Sequence, residues 1–130
     1  AKVRRWLDNL ALERGKPSSG DGQLGPANWI ADQSAKLWKL NTTGSKLSHF
    51  IPYRLPFVWD VAQAIVEWDL SALDEDALCK KVRAGNLPFG QSELQFFALA
   101  VAAFELGKAV MFGGERSKYA QRLLQTASSV

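Results

Sequence analysis

Residues 92–112, SELQFFALAVAAFELGKAVMF, decide how the rest of the chain must be arranged. From Phe96 to Phe104 this run is apolar all round, whereas a surface helix carries only an apolar stripe. The spacing therefore predicts a central helix that neighbours cover on several sides. Ala98, Ala100, Ala102 and Ala103 would let those neighbours approach closely. Ser92 with Gln95 fits a capping box at the start, and Gly113 with Gly114 ends the helix.

Helices to pack on it are legible on either side. Residues 115–127, ERSKYAQRLLQTA, predict an amphipathic helix with Tyr119, Leu123 and Leu124 inward. In DLSALDEDALCKKVRAG, residues 69–85, Ser71 or Asp74 caps a helix with acids in its first turn and bases in its last. Leu78 and Val82 face inward there, and Gly85 takes the C′ position. Residues 57–69 place Phe57, Val61, Ala64, Ile65 and Trp68 on one face, widened by Val58, Ala62 and Val66. The opposite stripe of Asp60, Gln63 and Glu67 reads as a solvated face rather than an acid–base pair.

Toward the N-terminus the pattern predicts two more helices. Residues 2–13 put Val3, Trp6, Leu7 and Leu10 on one side, and residues 27–40 do the same with Ile30, Ser34, Leu37 and Trp38. Between them RGKPSSGDGQLG, residues 14–25, has little to bury and reads as a flexible loop. A proline-locked connector, including SHFIPYRLPF at 48–57, follows the second helix. The expected fold is all-α: a compact bundle of about six helices with a long proline-containing connector between helices 2 and 3. It forms one domain over 1–130, complete or cut from a longer protein.

Composition narrows the function by exclusion. At 47% apolar and 22% charged the chain is globular rather than disordered. One cysteine, Cys79, allows no internal disulfide and suits a reducing compartment, so a cytoplasmic location is expected. No signal peptide is visible, and no uninterrupted apolar run reaches the ~18 residues of a membrane span, so no membrane partner is expected. One histidine and one cysteine cannot assemble a zinc site. Neither a phosphate-binding loop nor a nucleophile–base pair is present, so the expectation is a non-enzymatic protein without metal or cofactor.

Two partner classes remain. A protein partner, or a second copy of the chain, would meet Tyr53, Arg54 and His49 on the connector. Trp29 and Trp59, which are expected at or near the surface, would join them. A single- or double-stranded nucleic acid would instead meet Lys2, Arg4, Arg5, Lys36, Lys39, Arg54, Arg116, Lys118 and Arg122. The connector itself also has a bland reading, an apolar plug over one end of the bundle. Charge is segregated along the chain: residues 1–55 hold nine bases against four acids, and residues 56–79 hold six acids and no base. Trp6, Trp38 and Trp68 fall on apolar faces and are expected in the core. A docking or assembly domain is the first expectation, and a nucleic-acid-binding module is the alternative.

Overall fold

The computed structural model describes Arg4, Arg5, residues 24–40 and residues 56–129. Among them are four α-helices: α1 (Phe57–Glu67), α2 (Ala72–Ala84), α3 (Gln91–Phe112) and α4 (Ser117–Ser129). A short 3₁₀ turn (Pro26–Asn28) leads into an antiparallel hairpin of β1 (Trp29–Ala31) and β2 (Leu37–Lys39). The protein is mostly helical as expected, but the count of about six helices does not hold. Residues 29–39 are a hairpin and not a helix, and the expected helix at 2–13 lies outside the described residues apart from the helical backbone of Arg4 and Arg5.

The core forms where α1 lies against α3. Val58, Val61, Ala62, Ile65 and Val66 meet Leu94, Ala98, Val101 and Ala102, all buried. Each fully buried aliphatic side chain contributes about 1.5–3 kcal/mol, so this seam dominates stability. Small side chains on α3 bring the helices close, as their spacing predicts. Further along, Tyr119 and Leu123 of α4 and Leu78, Val82 and Cys79 of α2 complete the cluster. Leu124, expected inward, is exposed. By length and composition alone α3 would be able to cross a membrane. It is packed by both α1 and α4 and holds Glu93 and Glu105 in the interior, while Val110, Met111 and Phe112 at its end are exposed.

Local chemistry sets most helix ends. Ser71 caps α2, its hydroxyl accepting the Asp74 amide, and Asp74 and Glu75 follow in the first turn. At the other end Gly85 is the cap itself, and Asn86 takes the left-handed conformation (φ 60°) one residue later than expected. Helix α1 stops in a Schellman turn: Asp69 is left-handed (φ 51°), and the Leu70 amide donates back to the Ile65 carbonyl. Trp68 therefore leaves the helical face before it can be buried, against expectation, and lies exposed. The predicted Ser92 cap is also displaced. Helix α3 begins at Gln91 after Gly90, without a side-chain cap, and Ser92 is buried in the first turn.

Candidate functional site

The hairpin is organised around Asp32. Its carboxylate accepts the Ser34 hydroxyl at 2.6 Å, the Trp38 indole N–H at 2.8 Å, and the amides of Ser34 (2.9 Å) and Lys36 (3.0 Å). A short acidic side chain that satisfies successive amides offers the backbone a turn instead of a helix. Ala35 completes the reversal in the left-handed region (φ 61°). Led by the Ser34 hydroxyl, then the Trp38 indole, these donors hold the Asp32 carboxyl down at about 2, so it stays charged. The strands then pair Trp29 with Lys39, Ile30 with Trp38 and Ala31 with Leu37. Aromatic and β-branched partners across strands favour that pairing.

This geometry turns apolar side chains outward. Ile30 and its cross-strand partner Trp38 are 51% and 49% exposed, and Leu37 and Leu40 are exposed as well. Lys36 places its ammonium 4.2 Å from the Trp38 ring centroid. The indole is thus fixed at its nitrogen by Asp32 and flanked on its ring by a cation. Trp38, expected in the core, instead forms an exposed apolar pair with Ile30 on one face, and Leu37, also expected in the core, is exposed on the other. Trp29 is half-buried, with its indole nitrogen enclosed and without a hydrogen-bond partner.

Tyr53, Arg54, His49 and Lys2 lie outside the described residues. Trp59, expected near the surface, is buried at 9% exposure, its ring meeting Phe97 and Phe104 edge-on. It faces α3 because α1 is buried over most of its circumference. Arg4, Arg5 and Arg116 are exposed. Lys118 and Arg122 are engaged inside the fold: the first donates to the Glu67 carbonyl at 2.5 Å, and the second pairs with Glu75 at 2.9 Å. Two shallow clefts flank α4. One, of about 270 Å³, is lined by Glu75, Gln91, Gln95, Arg122 and Gln125, and its guanidinium is already neutralised by Glu75. The other, of about 450 Å³, lies beside Asp69, Glu115 and Lys118. In the second, the Ser117 hydroxyl and amide both donate to the Glu115 carboxylate at the start of α4.

A second polar cluster, unforeseen from sequence, joins the hairpin to the helices. Gln63 of the supposedly solvated stripe is buried, and Glu67 is half-buried. The Leu24 amide donates to Gln63 Oε1 at 3.1 Å, and the Trp68 indole donates to the Leu24 carbonyl at 2.8 Å. Gln63 Nε2 in turn donates to Glu67 Oε1 at 2.5 Å. Burial, and then the Glu105 carboxylate, push the Glu67 carboxyl up from its ordinary range. Cys79 behaves as a small core hydrophobe whose thiol burial also raises. Among the described residues no group of three or more His, Cys, Asp or Glu side chains is placed to hold a metal. No protein-family model, no curated protein and no solved structure matches this chain, so its geometry alone carries the functional reading.

Proposed function

We propose that this chain is a non-catalytic docking domain that binds another protein through the outer face of its hairpin. The observation that carries this reading is the exposure of Ile30 and Trp38, paired across the strands and each about half open to solvent. An isolated two-stranded hairpin is marginal in water, and an apolar face of this kind gains stability when a partner covers it. Trp is also the side chain most enriched among energetic anchors of protein interfaces. Here its orientation is set in advance by Asp32, which lowers the entropy lost on binding.

A second reading uses the same residues. With Lys36 beside an exposed indole, and Lys39 further along β2, the patch has the elements of a stacking platform for single-stranded nucleic acid. One pair of experiments separates the two. Photo-crosslinking in cells from a reactive group at position 38 is combined with oligonucleotide anisotropy titrations at two salt concentrations. Docking predicts discrete protein adducts that Ile30→Asp abolishes, and no salt-sensitive oligonucleotide binding. Oligonucleotide binding that weakens steeply with salt and disappears in Trp38→Ala, with no protein adduct, would sink the docking proposal.

A further inference from the structure

The hairpin is joined to the helical body through Leu24 and Gly25, immediately before its leading 3₁₀ turn. Both backbone groups of Leu24 are taken by the last turns of α1: its N–H by Gln63, its carbonyl by the Trp68 indole. The orientation of the Gln63 amide decides whether its oxygen faces Leu24, and that orientation is set by the bond from Nε2 to Glu67. The Glu67 carboxyl occupies the space a side chain on Gly25 would need. A β-carbon there would fall 2.2 Å from Glu67 Oε2. Four groups from two segments are therefore interlocked around one carboxyl.

We propose that Glu67 is a proton-operated latch on the hairpin. Uptake of one proton by its carboxyl tightens the hold of α1 on Leu24–Gly25, and loss of that proton loosens it. The surrounding charges say where the proton goes. From α3, Glu105 faces the cluster, with Lys108 bonded to both of its oxygens at 2.6 and 2.8 Å. From α4, the Lys118 ammonium bonds the main-chain carbonyl of Glu67. Its charge and that of Lys108 favour the carboxylate, against burial and Glu105, which favour the proton. Tyr119 faces the same carboxylates with its hydroxyl held protonated by burial and by Glu67, Glu105 and Glu115. Leu24–Gly25 contributes only backbone. The Gln63 amide, donating to the Glu67 carboxyl, also favours its charged form, but half-burial beside the Glu105 carboxylate outweighs it.

Linkage gives the direction. A carboxyl that binds its proton more tightly with the latch closed must, on binding it, favour the closed form. This contribution is complete below the ordinary glutamate range and is lost as pH rises through the raised value. In the charged state repulsion from Glu105 drives the Glu67 side chain off Gly25, Gln63 loses its anchor, and the Leu24 amide is released.

The test is NMR on the full chain between pH 4 and pH 8. It follows the Glu67 side-chain carboxyl carbon, the Trp68 indole N–H and the exchange protection of the Leu24 amide, in wild type and in Glu67→Gln. The wild-type Leu24 protection should fall as pH rises, with a midpoint matching the Glu67 carboxyl titration and lying above the ordinary glutamate value. Glu67→Gln, a neutral isostere, should keep Leu24 protected at every pH. Equal pH dependence in wild type and variant would overturn the proposal, as would flat protection in wild type. Should the variant fail to fold, the wild type alone decides: a Leu24 amide that does not follow the Glu67 titration overturns it.

Discussion

Replacing Gly25 with alanine tests the packing of the hairpin's tether directly. The backbone itself poses no obstacle, since Gly25 sits at φ −65° and ψ 154°, which any residue adopts. On that ground alone Gly25→Ala would stabilise the protein by about 0.4–1 kcal/mol, through the entropy of the unfolded chain. The new β-carbon, however, would lie 2.2 Å from Glu67 Oε2 and 2.6 Å from its carboxyl carbon. The carboxyl must retreat to ordinary contact distance and give up its bond from Gln63. Breaking it leaves the amide of the buried Gln63 unsatisfied, at a cost of about 1–3 kcal/mol. The net expectation is a loss of about 1–2 kcal/mol, read by urea unfolding followed by circular dichroism. With m near 2 kcal/mol/M, the midpoint should fall by roughly 0.5–1 M. Made in a Glu67→Ala background, the same change meets no carboxyl and should stabilise by the entropic term alone. The cycle should then show a coupling of about 1–3 kcal/mol. Stabilisation by Gly25→Ala in the wild-type background, or a coupling within error of zero, would refute the reasoning.

Two further expectations concern the core and the turn. Ile65→Ala deletes three carbons from a side chain at 1% exposure in the α1–α3 seam, and should cost about 3–4 kcal/mol in urea unfolding. A cost under about 1 kcal/mol would mean that the seam repacks without a cavity. The Asp32 carboxyl, held down at about 2, supports the hairpin turn above the ordinary carboxylate range and loses that support as pH falls through about 2. Amide shifts of Ser34 and Lys36 should therefore remain unchanged down to pH 4 and titrate with Asp32 below it. Asp32→Ala should abolish the Ile30–Trp38 cross-strand contact at neutral pH in NMR spectra, while the helices persist.

Much of the helical part of this protein follows from short-range information. The acids after Ser71, the bases before Gly85 and the apolar periodicity of residues 57–67 each act within a few residues, so α1 and α2 are readable one segment at a time. The apolar run Phe96–Phe104 likewise brought α3 into the core through Ala98, Val101 and Ala102, while Phe96 and Ala103 on its other side are exposed. Residues 29–39 were ambiguous for a physical reason. Apolar side chains near positions 30 and 37–38 lie about two helical turns apart, and equally they oppose each other across a tight hairpin. Asp32 resolved the choice by binding the turn's amides, and that choice carried Trp38 from an expected core position to the surface. Helix ends decided two other tryptophans: Trp68 was released by the Schellman turn at Asp69, and Trp59 was enclosed because Phe97 and Phe104 arrive from α3. The latch was beyond sequence altogether. Gln63 meets Leu24 across 39 residues, and nothing local marks Glu67 as different from Asp60 on the same stripe. Local sequence determined that four helices form over residues 57–129 and closely where each one runs. Only the tertiary structure decided which polar side chains lost their water, because that depends on what distant segments bring against them.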